Sequence, residues 1–394
     1  MNLWADIDHN EQEQSRTGTV TRRTRRLTEW DVLSSVREWL VEHYLPAYCR
    51  SLIATRIFRR CYWIDALGLE TRALSSQSNG AGKPAALQPF LSLTNSLKQE
   101  HASFQFSALL FAPGKRKHTA QPLTLSGKSA LFQLPWPDAA PTILQQLEQS
   151  PALFLLNPLS PNLFRYEQLV PLFRRTAPTE LCLLISHQQV TALMQTAQHS
   201  SEVATQLKDL LRSDRWKTLP PAKAVSGFLT LFMAVMKRHF SFPIQRIPVL
   251  MQVGPAHVAA QPYTLLFATR RQDSLLCMND AISFYRQHLY RESCRGVLGE
   301  EWFLAQEQER RATALQQLYE ETLHLGREQR VRRWPDLRQQ LCLSHFGHFS
   351  QAEYNEIIQK LLLNKAVYCE WRRSGAEQQR TALPGNEDVL LWHA

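Results

Sequence analysis

The chain has 394 residues, an apolar fraction of 44% and a net charge of +10. This length is enough for two or three domains, and the composition is ordinary for a folded protein with a hydrophobic core. The sequence contains no run of about 18 apolar residues, which argues against a membrane span. Its first residues form no apolar signal segment. We therefore expect a cytoplasmic protein that has no membrane partner.

The cysteines argue against a metal centre. Their number is odd, none lie at the spacing of metal ligands, and several fall within apolar runs. We expect reduced, mostly buried thiols and no zinc site. The seven cysteines are Cys49, Cys61, Cys182, Cys277, Cys294, Cys342 and Cys369.

The positive charge is concentrated in two segments. Residues Arg16–Arg60 contain ten arginines and four acidic residues, and residues Gly326–Gly375 contain nine basic and five acidic residues. Such segregation favours a polyanionic partner such as nucleic acid. The alternative is that the charge serves only to keep the protein soluble.

The chain begins with a polar segment, residues 1–27, which contains two Arg-Arg pairs and is predicted to be a disordered basic arm. Apolar residues at helical spacing then predict a helix that begins near Thr28. Thr28 can cap this helix, with Asp31 three residues later in the position of an imperfect capping box. A second helical stretch follows before the first strand.

Strands and helices alternate over residues 28–298. This alternation predicts a Rossmann-like α/β domain with a mostly parallel sheet and crossover connections. A long charged helix, residues 299–328, is predicted to connect this domain to the rest of the chain. The predicted strands are Tyr62–Ile64, Phe104–Phe111, Leu131–Leu134, Leu153–Leu156, Leu181–Ile185 and Pro262–Thr269.

Residues 329–394 have a different pattern. They predict a helix, a short turn, a second helix and a hairpin, which is the outline of a winged helix-turn-helix domain. Ser350 is a suitable cap for the second helix. The predicted elements are Trp334–His345, Ser350–Asn364, Ala366–Trp371 and Val389–Trp392.

Four segments of the chain carry a family resemblance. They are Tyr62–Glu70, Gly82–Pro84, Asn157–Ser160 and Tyr263–Ala268. In this order they resemble the Tyr-Ile-Asp-Gly-Phe-Ala-Gly-Pro-Gly, Gly-Ser-Pro, Asp-Pro-Phe-Gly and Tyr-x-Leu-x-Phe-Ala segments of the three-Cys-motif partner (TcmP) family. The resemblance extends from about Trp30 to the C-terminus.

The resemblance implies a class I methyltransferase-type α/β domain followed by a winged helix. It also implies a protein partner, because members are commonly encoded beside a radical-SAM-like protein that carries three cysteines. The corresponding expectation is a role in a nucleic-acid modification or defence-type system.

The residues that would bind S-adenosylmethionine are only partly retained. Asp65 and Gly68 remain in the first turn, where glycine lets the backbone approach a ligand. Ala66 and Glu70 replace family glycines, and no acid follows the strand that ends at Phe111. We therefore interpret the cofactor contacts of Asp65, Gly68, Asn157 and Pro158 as vestigial and expect no bound cofactor.

Asn157-Pro158 resembles the start of the Asn/Asp-Pro-Pro-aromatic motif of amino methyltransferases. Leu159 and Ser160 depart from it, although Phe164 or Tyr166 could supply the aromatic ring if they do not pack in the core. If the domain is active, Asn157 is the candidate catalytic residue and S-adenosylmethionine is the cofactor. The alternative is that Asn157 is a turn residue before proline.

Other polar residues give weaker signals. His187 follows a strand end, His345 and His348 occupy a turn without a third metal ligand, and Asp273 could pair with a neighbouring arginine. The basic loop Lys115–His118 could contact substrate phosphate or simply be solvated.

In the C-terminal module, Gln351, Asn355 and Lys360 fall on the predicted recognition helix, and Arg372 and Arg373 begin the predicted wing. Arginines in a wing can enter a minor groove or hold phosphate. The acids Glu353 and Glu356 on the same helix count against base reading, and many winged helices bind proteins instead.

The sequence thus predicts a nucleic-acid-binding protein with a degenerate methyltransferase-like domain and a protein partner. Whether the nucleic acid is DNA or RNA stays open. Two alternatives also stay open: an active S-adenosylmethionine-dependent methyltransferase that acts on nucleic acid, and a protein-binding scaffold.

Overall fold

The computed structural model describes residues 28–68, 85–112, 128–159, 165–372 and 383–392. The predicted basic arm (1–27) and the loop residues Lys115–His118, Ser160, Phe164 and Arg373 lie outside the described residues. The helices, numbered in chain order, are α1 (Glu29–Trp39), α2 (Leu45–Ala54), α3 (Gln88–Glu100), α4 (Trp136–Leu147), α5 (Tyr166–Arg174), α6 (His187–His199), α7 (Ser201–Leu211), α8 (Ala224–Met236), α9 (Gln272–Cys294), α10 (Glu300–Gln329), α11 (Trp334–Ser344) and α12 (Gln351–Leu363). The strands are β1 (Arg60–Asp65), β2 (Gln105–Phe111), β3 (Ala130–Phe132), β4 (Ala152–Leu156), β5 (Thr179–Ser186), β6 (Gln245–Gly254), β7 (His257–Ala268), β8 (Val367–Glu370) and β9 (Val389–Trp392).

Helix α1 begins at the predicted cap. The Thr28 side chain accepts from the Asp31 N–H, and the Asp31 carboxylate accepts from the Thr28 N–H at 2.8 Å, so the capping box is confirmed. A single π-helical turn, Leu40–Tyr44, joins α1 to α2. The apolar side of this helical pair is buried and covers one face of the sheet.

Seven strands form the central sheet in the order β3-β2-β1-β4-β5-β7-β6. The first five are parallel, whereas β7 pairs antiparallel with both β5 and β6. Strands β4 and β5 are buried along their whole length, as expected for parallel strands covered on both faces. The predicted α/β domain with a mostly parallel sheet is confirmed and is compatible with a Rossmann-like fold.

Helices cover both faces of this sheet. One core lies between the sheet and helices α1, α2, α3 and α9, and the other between the sheet and helices α4 to α8. Successive strand residues alternate between these cores, so that Trp63 belongs to the first and Ile64 to the second. All seven cysteines are free, and six are buried.

Strand β6 is not among the strands predicted from the sequence. Pro248 lies within β6, and proline is tolerated in a sheet mainly on an edge strand. Strand β6 is the last strand of the order, where one side needs no partner. Helix α8, the last helix before β6, ends at Met236.

The C-terminal elements have their own core, formed by α10, α11, α12 and the antiparallel pair β8–β9. Asn279 of α9 joins this module to the α/β domain. Its side chain is fully buried, donates to the Phe349 carbonyl at 2.7 Å and accepts from the Gly347 N–H at 2.8 Å. Within the described part of the chain, no helix combines the length and apolarity that a membrane span requires.

Candidate functional site

The strand order reverses between β1 and β4, and the crevice beyond the carboxyl ends of such strands is where α/β sheets bind ligands. Asp65 is the last residue of β1 and is paired in register with Leu155 of β4, two residues before Asn157. The structure therefore brings Asp65 and Asn157 together at the switch point.

Asp65 does not face an open crevice, because Arg37 of α1 covers it. The Arg37 guanidinium donates from Nε to one carboxylate oxygen of Asp65 at 2.5 Å and from Nη2 to the other at 3.3 Å. The same Nη2 donates to the Gly68 carbonyl at 2.9 Å. One guanidinium thus joins the end of β1 to the turn that follows it.

The Arg37–Asp65 pair is almost completely withdrawn from water. Asp65 is 1% exposed and the Arg37 side chain 13%. Burial opposes the charge on Arg37, but the charge and hydrogen bond of Asp65 outweigh burial and raise the pKa of Arg37 above its usual value. The Leu67 N–H also donates to Asp65 at 3.1 Å, which completes the contacts expected of a buried carboxylate.

Gly68 has a backbone φ of 90°, in the region that favours glycine. Its carbonyl is held by Arg37, so this glycine serves the turn and the ion pair together. The residues after it, 69–84, are not described. The retained Asp65 and Gly68 are therefore engaged with one another through Arg37 in this structure.

Asn157 also uses its side chain within the protein. Its Oδ1 accepts from the Leu159 N–H at 2.9 Å, and its Nδ2 donates to Gln189 of α6 at 3.0 Å. This is the turn geometry in which an asparagine side chain bonds the backbone two residues later. Pro158 is buried behind it.

The end of β2 is apolar. Phe111 stacks on Phe132 with ring centroids 5.2 Å apart and meets Trp136 edge-on at 5.1 Å. Among the described residues that directly follow β1, β2 and β4, which are 66–68, 112 and 157–159, no side chain is acidic. These positions therefore supply no carboxylate to accept hydrogen bonds from ribose hydroxyl groups.

Tyr166, a candidate stacking residue, lies at the start of α5. Its ring is 6.3 Å from that of Phe173, and the Arg212 guanidinium lies 5.4 Å from its centre. The ring thus has partners within the protein.

The candidate histidines are engaged locally. His187 Nε2 lies 2.9 Å from the Thr264 hydroxyl, and burial lowers the pKa of His187. His345 pairs with Glu321 at 2.7 Å, and burial lowers the pKa of His348 to about 3. Asp273 pairs with Arg271, as proposed from the sequence. The described residues include no group of three or more potential ligands arranged to hold a metal ion.

A second buried carboxylate, Glu180, lies near the amino end of β5, whereas Asp65 lies at the carboxyl end of β1. It is 0% exposed, and neither of its oxygens has a partner in hydrogen-bond geometry among the described residues. Burial raises the pKa of Glu180 to about 7, although the nearby hydroxyl groups of Thr269 and Ser274 act to lower it. The Ser274 hydroxyl is already bonded to Tyr44 at 2.7 Å.

The first turn of α12 is attached to the α/β domain. Gln351 donates from its backbone N–H and from its side-chain amide to the Asp280 carboxylate on α9, at 2.7 and 2.9 Å. Winged helices read base edges mainly with the N-terminal residues of the recognition helix. In this structure that end of α12 is occupied by Asp280.

Asn355 is likewise engaged within the module. Its Oδ1 accepts from Trp334 Nε1 at 3.4 Å and from Arg338 Nη1 at 3.2 Å. Glu353, which counted against base reading, forms an ion pair with Arg311 of α10 at 2.5 Å.

Lys360 and Arg372 remain exposed. The backbone N–H of Arg372 donates to Asp388 at 2.8 Å, whereas its guanidinium lies 3.9 Å from Glu370 and its side chain is 64% exposed. These two positions are therefore free to contact a partner, and the neighbouring Arg373 is not described.

Comparison of the chain with protein-family models, with curated proteins and with solved structures finds no match.

The Arg37–Asp65 pair was missed in the sequence. The available signal was Asp65 itself, because a carboxylate that stays charged at the end of a buried strand needs hydrogen-bond donors or a counter-ion. Arg37 falls on the first predicted helix, but its pairing depends on how that helix crosses the sheet.

Proposed function

We propose that the protein binds nucleic acid through its C-terminal module, and that its α/β domain has a methyltransferase-like fold that does not bind S-adenosylmethionine. The observation that carries the second part is the Arg37 guanidinium on Asp65 and Gly68 at the switch point. The resemblance to the TcmP family is part of this proposal, together with its implied protein partner and defence-type context.

A cofactor in this crevice would compete with Arg37 for the same groups. Moving Arg37 away would leave Asp65 buried without its counter-ion, and breaking such a pair costs about 3–5 kcal/mol. Each 1.4 kcal/mol is about tenfold in affinity, so binding would be weakened by more than about a hundredfold.

The sheet supports a class I methyltransferase-type fold. Its order extends the 3-2-1-4-5 arrangement of doubly wound sheets by an antiparallel β7 between β5 and β6. An antiparallel seventh strand in this place is the arrangement found in class I methyltransferases.

A winged helix is supported by a contact between β9 and the segment that connects α10 to α11. The Leu390 N–H of β9 donates to the Arg332 carbonyl at 2.8 Å, so the segment between α10 and α11 lies beside the two-stranded hairpin at the place where a winged helix has a short third strand. Helix, short strand, two helices and a hairpin is the element order of a winged helix.

Calorimetry with S-adenosylmethionine tests the cofactor part. We expect no binding tighter than about 100 μM, which is about −5.5 kcal/mol. Tighter binding would contradict the proposal and favour the active methyltransferase with Asn157 at its site.

A gel shift at two salt concentrations tests the nucleic-acid part with DNA and RNA probes. The variant Arg372→Ala plus Arg373→Ala should bind more weakly and with a smaller salt dependence than the native protein. If both affinity and salt dependence are unchanged, these residues do not form part of the contact surface.

A protein-binding role is favoured by apolar side chains at the corner between α9 and α10. Leu298 is 99% exposed and Trp302 61%, which is costly in water unless a partner covers them. A partner retained from the native host by the native protein and lost by Leu298→Ser plus Trp302→Ser would support this second function. Equal retention by both would oppose it.

A further inference from the structure

Four arginines lie close together where α10 ends and α11 begins. We call Arg327, Arg330, Arg332 and Arg333 the arginine ridge. All four are exposed, and none forms an ion pair with a described residue. The one acid among them, Glu328, lies 3.3 Å from His324. The ridge thus presents positive charge to solvent that no described group neutralises.

The backbone beneath the arginine ridge is fixed. The Arg332 carbonyl accepts from Leu390 at 2.8 Å, and the Val331 carbonyl accepts from Trp392 Nε1 at 2.7 Å. Gly326 lies against the ring of Trp392, since a Cβ there would be 2.3 Å from a ring atom. These contacts hold the ridge along β9, so its arginines are placed by the fold.

Other groups on the hairpin extend this surface. Arg372 follows β8, and β9 lies between β8 and the Arg332 segment of the ridge, so Arg372 is on the far side of β9 from the ridge. Tyr368 of β8 is 55% exposed and faces Leu391 across the hairpin. An exposed aromatic ring on the same hairpin as Arg372 is suited to stacking against a base or sugar.

We propose that the arginine ridge, together with Arg372, is the phosphate-binding surface of the C-terminal module, and that the first turn of α12 is not. This rests on the proposed nucleic-acid function. Guanidinium groups bind phosphate oxygens through two parallel hydrogen bonds, and their charge persists at every physiological pH. The first turn of α12 cannot serve the same role while Gln351 is bonded to Asp280.

The test is the salt dependence of binding to a 20-base-pair DNA duplex, followed by fluorescence anisotropy. The variant Arg330→Ala, Arg332→Ala, Arg333→Ala should reduce the slope of log affinity against log salt by about 0.9 for each lost phosphate contact, or about 2.7 in all. The same positions changed to lysine keep the charge and should keep the slope.

A matched control removes three exposed arginines that lie outside both basic segments, Arg215→Ala, Arg238→Ala and Arg291→Ala. Its slope should change by less than about 0.5. An unchanged slope in the ridge variant, or an equal change in the control, overturns the proposed surface while leaving nucleic-acid binding intact. If the native protein does not bind the duplex or an equivalent RNA, the proposed function itself fails.

Competition with polyglutamate distinguishes a surface that binds phosphate from one that binds an acidic protein. Displacement of the duplex only at polyglutamate concentrations far above those of unlabelled duplex supports a phosphate surface. Equal displacement at matched charge would show that the ridge recognises negative charge of any kind and would overturn the assignment to phosphate.

Discussion

A carboxylate is buried at each end of the parallel strands of the central sheet, but the two carboxylates differ in their hydrogen-bond partners. At the carboxyl edge, Asp65 receives two hydrogen bonds from Arg37 and one from the Leu67 N–H. At the amino edge, Glu180 is more deeply buried and has no partner in hydrogen-bond geometry among the described residues. Burial alone therefore does not mark a site, because the two carboxylates are both buried and differ in their partners.

The difference also concerns function. An unoccupied binding site would be expected to leave its ligand-facing carboxylate accessible, whereas Asp65 is neutralised by the protein's own guanidinium. Glu180 has the strongly shifted pKa that often marks an active site, yet it lies at the edge of the sheet where α/β enzymes do not bind ligands. Asp65 and Glu180 therefore differ in the end of the parallel strands at which each lies, and only Asp65 lies at the end where such sheets bind ligands.

Removal of Arg37 should have the largest effect on this comparison. Arg37→Ala leaves Asp65 buried without a counter-ion, and we expect a loss of about 3–5 kcal/mol in the free energy of unfolding. Urea unfolding at pH 7 measures it. Arg50→Ala, at an exposed pair, should cost less than about 1 kcal/mol.

The double variant Arg37→Ala plus Asp65→Ala should recover part of this loss, because no uncompensated charge remains. If Arg37→Ala costs no more than Arg50→Ala, the buried Arg37–Asp65 pair contributes no more to stability than an exposed pair.

The next largest effect should be a pH dependence caused by Glu180. Its pKa is raised to about 7 in the folded protein, so its stabilising contribution is complete below the unfolded pKa near 4.5 and is lost as the pH rises through 7. The shift corresponds to about 3 kcal/mol between pH 4.5 and pH 8. Arg271 acts to lower this pKa, and Asp273 acts to raise it.

Glu180→Gln should therefore match the native protein near pH 4.5 and exceed it in stability at pH 8, as measured by urea unfolding at both values. Glu309→Gln, on the exposed surface of α10, removes the same charge and should retain the native pH dependence. An unaltered pH dependence in Glu180→Gln would mean that Glu180 is ionised at neutral pH despite its burial.

Asp280 should give the smallest effect, because its carboxylate accepts from the neutral donors of Gln351. Burial raises the pKa of Asp280. Asp280→Asn loses one acceptor and should cost about 1–2 kcal/mol in the free energy of unfolding at pH 7. A cost above that of Arg37→Ala would show that neutral donors hold a buried carboxylate more firmly than a guanidinium does.

The sequence was a good guide to the sheet, because strands buried on both faces appear as continuous apolar runs such as Leu181–Ile185. It was a poor guide to β6, where Pro248 and polar residues interrupt the pattern of an edge strand. Helical spacing and the capping residues identified α1 but gave no information about which residue Arg37 would meet.

The sequence predicted where the candidate site lies, but it did not predict which contacts the side chains make. Asp65 and Asn157 fall at the switch point because strand ends can be read from the sequence. Helical periodicity could not show that Gln351 is bonded to Asp280, which lies 71 positions away. That contact depends on how α12 is docked against α9, and docking is determined by tertiary packing.

Asn279 has a mechanical consequence. The buried side-chain amide of Asn279 in α9 holds the turn at Gly347 and Phe349, and the next residue, Asp280, accepts from Gln351 as a second attachment. These contacts fix the orientation of the C-terminal module relative to the α/β domain. A nucleic acid bound to the C-terminal module would therefore pass the α/β domain at a fixed angle. Weakening these contacts would let that angle vary without altering either part of the protein.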